Sequence, residues 1–178
     1  SEKLDGASAI LQQIDGTTKL YSRGNGTYGR DISHLIKYMK LPEIEYDYCV
    51  RGELIVNKHN FSKYNDLYSN ARSMINGVMG KKEAIEEQVS NVELVVFELL
   101  NLQKKTEWII QEGLNKCNEL GFTVCKFNIF DYPKISNFGK ENKVEYSFLL
   151  KTLLEYRLNS KYDIDGIIIT ENKYHERN

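Results

Sequence analysis

Proline is nearly absent, with 2 in 178 residues, which excludes a proline-rich linker or stalk. Cysteine is scarce as well. Cys49, Cys117 and Cys125 are odd in number and no two stand at metal-ligand spacing. That excludes a disulfide scaffold and points to reduced thiols in a cytoplasmic compartment. The three histidines, His34, His59 and His175, are scattered and spell no zinc pattern. No apolar run approaches the ~20 residues of a membrane-spanning helix, so no membrane partner is expected. An excess of positive charge is also missing: the net charge is -1 and the pI about 6.3. Any grip on nucleic acid must therefore be local rather than spread over a basic surface.

What is present reads as one ordinary globular domain, 41% hydrophobic and 28% charged. Residues 4–12 and 18–23 read as strands joined by a turn at Asp15-Gly16. A Gly-rich loop follows over 22–29, then a short helix over 31–39 and a strand pair over 47–56 with a turn or bulge near Gly52. Segments 61–76 and 82–88 read as helices, and 92–100 as a strand. The pattern over 106–120 predicts an amphipathic helix closed by Gly121, a residue suited to the position after a helix C-terminus. Residues 122–129 and 164–170 read as strands and 144–158 as a long helix. The fold class is α+β, antiparallel strands with helices packed on them.

Five short motifs carry chemistry. Lys3-Leu4-Asp5-Gly6 offers an amine that attacks phosphorus once neutral, an acid to orient it, and a glycine that lets backbone approach a nucleotide. Ser22-Arg23-Gly24-Asn25-Gly26 sets an arginine among flexible glycines, which suits phosphate. Val50-Arg51-Gly52-Glu53-Leu54 puts a carboxylate in a strand, fit for ribose hydroxyls or a metal-bound water. Phe97 lies in an apolar strand and is either core or a stacking face for a purine. Asp163-Ile164-Asp165-Gly166 precedes a run of isoleucines and sets an acid at a strand mouth, where Mg²⁺ could bind. Singly, each is spelled by common turns, hairpins, surface ion pairs or core strands.

In this order the set resembles the covalent nucleotidyltransferases: DNA ligases, RNA ligases and capping enzymes. Finer features resemble the NAD-dependent DNA ligases. Arg23-Gly24-Asn25-Gly26-Thr27 with Gly29 and Asp31 is similar to their R-G-D-G-x-x-G-E-D loop. Arg51-Gly52-Glu53, Phe61 to Asn65, Asn70-Ala71-Arg72 and Asp163 to Ile169 match further segments, so the likeness spans roughly residues 2–170. The resemblance implies the ligase and capping-enzyme nucleotidyltransferase fold, which is ATP-grasp-like. It implies AMP carried on Lys3, with Asp5 beside it and Gly6 close to the nucleotide. Arg23 and Arg72 would meet phosphate, Glu53 ribose or metal, Phe97 the adenine face, and Asp165 metal and phosphate. Glu2 would read the adenine amino group. NAD is the implied cofactor, with ATP the alternative, alongside Mg²⁺; nicked double-stranded DNA is the implied partner, met by a monomer.

Departures from that pattern keep two other readings open. Thr170 stands where the family has a lysine, and Gly80, beside Lys81 and Lys82, where it has a second arginine. The strand Phe97-Glu98-Leu99-Leu100 is closer to ATP-dependent ligases. The chain is expected to be a fragment lacking the lobe that grips the nicotinamide mononucleotide half, the last lysine motif and the OB-fold. The alternatives are an ATP-dependent DNA or RNA ligase and a catalytically silent nucleotide- or nucleic-acid-binding module.

Overall fold

The long strands are set by alternation. Over Tyr48–Val56 (β5), Val50, Leu54 and Val56 turn to one face and Ile55 to the other. Over Val92–Leu100 (β6), Val92, Leu94 and Val96 face the first side and Val95 the second. A computed structural model describes residues 1–24, 28–100, 108–130 and 143–173, with no description of the side chains of 143–147. In it these two strands pair antiparallel at the middle of a six-stranded sheet. The other members are Ala7–Ile14 (β2), Thr17–Ser22 (β3), Arg30–Asp31 (β4) and Thr123–Val124 (β7), in the order β4-β3-β2-β5-β6-β7. Among the described residues only β7 runs parallel to its neighbour, reached from β6 through the helix Ile110–Glu119, here α4. Glu2–Leu4 (β1) and Ile164–Ile167 (β8) form a separate antiparallel pair.

Two cores result. The larger lies on one face of the six-stranded sheet, built on Leu11, Leu20, Val50, Leu54 and Val96. The helix Ala71–Gly80 (α2) covers it with Ala71, Met74, Ile75 and Val78, an i, i+3, i+4, i+7 stripe. Short helices Lys58–Phe61 (α1) and Glu86–Val89 (α3) complete that region of the chain. The smaller core, between the other face and the β1–β8 pair, holds Leu4, Ile55, Val95, Leu114, Cys125, Tyr162 and Ile164. The long helix Lys143–Asn159 (α5) leads into β8 and adds Leu153 to it.

The α+β class and antiparallel pairing agree with the sequence expectation; several boundaries do not. The strand expected over 4–12 is two strands, because Asp5 donates its N–H to the Asp163 carbonyl and the chain then crosses to the larger sheet at Gly6. The pair expected over 47–56 is one continuous strand, and the irregularity near Gly52 is a bulge. The helix expected over 61–76 starts at Ala71, since Asn70 accepts from the Ser73 N–H while Ser73 accepts from the Asn70 N–H, a reciprocal cap that stops it. Residues 33–38 are 3-10 rather than α-helical, started where Asp31 accepts from the Ser33 N–H at 2.8 Å. The strand expected over 122–129 keeps two residues, and that over 164–170 keeps four. Residues 25–27 of the Gly-rich loop and 106–107 of the expected helix lie outside the described residues. Among the described residues no helix is long and apolar enough to cross a membrane.

Candidate functional site

Lys3 is the outward residue of β1, half exposed between buried Glu2 and Leu4. Its register partner on β8 is Gly166, which has no side chain to obstruct the amine. One residue earlier, Asp165 pairs its carboxylate with the Lys3 ammonium. That hydrogen bond holds the Asp165 carboxyl below the usual range.

Gly6 brings the K-x-D-G segment onto the larger sheet. A Cβ there would lie 2.2 Å from the Leu54 carbonyl oxygen and 2.9 Å from Glu53 Cγ, so only glycine permits the approach. Glu53 thus sits beside the segment bearing Lys3. Arg72, fixed in the first turn of α2 by the Asn70 cap, donates from Nε to Asp5 Oδ1 at 2.6 Å. Burial pushes the Glu53 carboxyl up to about 7. Arg72, the Gly6 N–H and Lys3 pull it down, and Asp5 adds to the rise.

This shift has a measurable sign. Folding raises the Glu53 pKa from its ordinary 4.5, so the folded state binds that proton more tightly. The stabilising contribution is complete below 4.5 and is lost as pH rises through about 7. Glu53→Gln is expected to remove that part of the pH dependence. Thermal unfolding of both proteins between pH 4.5 and 8 checks it; parallel stability curves would refute the assignment.

Phe97 owes its place to the bulge. Gly52 pairs with Val96 and Arg51 with Glu98, which leaves Phe97 as an extra residue in β6. A bulge turns two consecutive side chains toward one face. Phe97 packs on the smaller core, and Glu98 accepts from Arg51 Nη1 at 3.0 Å on that same face. Gly52 is required there, since a Cβ would meet the Val95 carbonyl oxygen at 2.7 Å.

Lys3, Asp5, Gly6, Glu53, Arg72 and Asp165 are therefore brought together from four distant segments. Arg23 is exposed at the end of β3, its N–H bonded to the Ser8 carbonyl at 3.1 Å, and Ser8 is the register partner of Glu53. Glu2 is apart from the others: its side chain is buried on the opposite side of β1 from Lys3. Of the cations near the departures, Lys81 donates to Gln88 at 3.3 Å and Lys173 pairs with Glu171, while Thr170 lies exposed beyond β8. Residues Ser160 and Lys126, which no motif marks, both contact Glu2. Among the described residues no group of three or more His, Cys, Asp and Glu side chains could enclose a metal ion.

Comparison with known proteins matches residues 1–178 to the NAD-dependent DNA ligase adenylation domain. The chain is 36% identical to the DNA ligase of Acanthamoeba polyphaga mimivirus, over 100% of this chain and 27% of that protein. It is 33% identical to the putative DNA ligase 205R of Invertebrate iridescent virus 6, over 96% and 27%. Against the DNA ligase of Borreliella burgdorferi (strain ZS7) the identity is 29%, over 94% and 26%. The chain thus spans about a quarter of the length of these curated relatives. Among solved structures, mycobacterial DNA ligase D complexed with ATP and MES is similar at 19% identity and a TM-score of 0.40, over 71% of this chain and 38% of that one.

Proposed function

This chain belongs to the NAD-dependent DNA ligase adenylation domain family, and we propose that it is the adenylyl-transfer core of a DNA ligase with Lys3 as the nucleophile. The Lys3 amine, once it has given up its proton, attacks the α-phosphorus of NAD. A nitrogen–phosphorus bond forms, and the bond from that phosphorus to the bridging oxygen breaks. Nicotinamide mononucleotide leaves with the electron pair and AMP stays on Lys3. The AMP then passes to the 5′-phosphate at a nick in double-stranded DNA, and the 3′-hydroxyl displaces it to seal the strand.

The observation that supports this reading most is the meeting of Lys3, Asp165, Glu53 and the Asp5–Arg72 pair at one edge. Reactions at phosphorus need in-line placement and neutralised charge more than covalent help. Arg72 and Arg23 supply cations for phosphate oxygens. Phe97 supplies a ring face for adenine. Glu53 accepts from ribose hydroxyls. Mg²⁺ typically binds through one or two carboxylates plus substrate phosphates, which fits Glu53 and Asp165 as its protein ligands. There it would offset charge on the phosphates.

Intact mass after incubation with NAD and Mg²⁺, or with ATP and Mg²⁺, tests the proposal. A gain of one AMP with NAD supports it; a gain with ATP alone reassigns the cofactor. No gain with either would sink it. Phe97→Ala is expected to weaken AMP binding by the value of one stacked base, about 1–3 kcal/mol, or roughly 5- to 150-fold in Kd. Phe127, partly buried against the same core, is the matched control. Equal losses in both variants, tracking the fall in Tm, would make Phe97 a packing residue.

A further inference from the structure

Glu2 is one of three buried polar or charged residues among those described, 4% exposed. Its carboxylate ties together two segments remote in sequence. Oε1 accepts from the Lys126 N–H at 3.0 Å, and the Glu2 N–H donates back to the Lys126 carbonyl at 3.0 Å. Oε2 accepts from Ser160 Oγ at 3.1 Å. Ser160 Oγ in turn accepts from the Tyr162 N–H at 3.2 Å, and the Tyr162 hydroxyl donates to Glu93 at 2.7 Å.

The segment so held runs directly into β8. Asp163 accepts from the Asp5 N–H at 3.0 Å, Ile164 pairs with Leu4, and Gly166 pairs with Lys3. Glu2 is thus fastened to the start of the same run whose end carries Asp165. Its side chain points away from the face that presents Lys3, because successive residues of a strand alternate. An acid is costly to bury unless its oxygens are used, and here both are used by protein donors rather than turned toward the site.

We propose that Glu2 is a positioning residue: it locks β1 against Lys126 and Ser160 and so fixes the register in which the Lys3 amine meets Asp165. This rests on the reading of Lys3 as the adenylated residue. It gives Glu2 a task other than reading the adenine amino group.

The test uses the 178-residue chain with Glu2→Ala, Glu2→Gln and Ser160→Ala. Misplacing a reacting group by about 1 Å costs on the order of 100-fold. Glu2→Ala is therefore expected to slow single-turnover adenylation at saturating NAD by about that factor, with little change in half-saturating NAD. Ser160→Ala should slow it less. Glu2→Gln should recover most of the rate, since its amide oxygen still accepts from the Lys126 N–H. Preference for NAD over its hypoxanthine analogue should stay as in wild type throughout. In hydrogen exchange, the Asp5 amide and the Ile168 amide, which donates to the Ser1 carbonyl at 2.8 Å, should open faster in Glu2→Ala while those of β2 and β5 do not change. A collapse of base preference in Glu2→Ala, a wild-type rate in it, or unchanged exchange at Asp5 and Ile168 would overturn the proposal. If the wild-type chain gains no AMP on Lys3, the reading of Lys3 is what fails, and the exchange pattern still decides whether Glu2 locks β1.

Discussion

Lys3→Ala is expected to abolish the gain of one AMP in mass completely, with the fold unaltered. A phosphoramidate needs a nitrogen nucleophile, and at this edge of the fold Lys3 supplies the amine. Arginine should not rescue it, because a guanidinium stays protonated and is a poor nucleophile. Loss of the side chain also removes the pair with Asp165, but both partners are about half exposed. Such exposed pairs contribute little to stability, so Tm should stay close to that of the wild type. Intact mass and thermal unfolding on one preparation check both halves. AMP still bound covalently in the alanine variant would move the nucleophile elsewhere.

The second large effect is expected at Gly6. In Gly6→Ala the new methyl would press on backbone, the Leu54 carbonyl oxygen at 2.2 Å, and on Glu53 Cγ at 2.9 Å. Backbone in the middle of a sheet cannot yield as a side-chain tip can, so the K-x-D-G segment must lift away. Overpacking of this kind costs about 1–3 kcal/mol, which lowers Tm by several degrees. The displacement also carries Lys3 and Asp5 away from Glu53, so adenylation should fall by on the order of 100-fold even well below the new Tm. Gly80→Ala is the control, since nothing lies within 4 Å of a Cβ there, and alanine suits a helix better than glycine. Wild-type rate and Tm in Gly6→Ala would mean that the close approach to β5 does not matter.

The residues that meet at the candidate site were more legible in the sequence than the fold that assembles them. Lys3, Glu53 and Asp165 each stand in a short motif whose residue types limit the chemistry, the order of the motifs narrows it further, and Arg72 came from the family resemblance of Asn70-Ala71-Arg72. The bulge near Gly52 was also readable, because a glycine between apolar strand residues marks close backbone approach. The pairing of β1 with β8 was not. Its partners are about 160 residues apart, and local periodicity carries no information over that distance. For the same reason the contacts of Glu2 with Lys126 and Ser160 were not readable, since neither residue stands in a motif, and its adenine-reading role came from the family resemblance. The helix expected over 61–76 failed on a local competition: apolar spacing favoured helix throughout, but the Asn70 side chain satisfies the Ser73 N–H better as a cap than as a helix-interior residue.

A strand has a reading frame of two, and in β6 that frame is shifted once. Every residue on either side of Phe97 keeps a partner on β5, Val96 with Gly52 and Glu98 with Arg51. Phe97 is therefore a guest in the ladder. Removing it outright would rejoin two segments that are already in phase, with Leu99 still opposite Val50 and Val95 still opposite Glu53. Deleting a neighbour such as Val95 would instead put the flanking residues out of step and turn core side chains to the wrong face. The aromatic ring can thus be gained or lost by a single codon without rewriting the sheet beneath it, which makes the ring proposed to stack on adenine separable from the architecture that carries it.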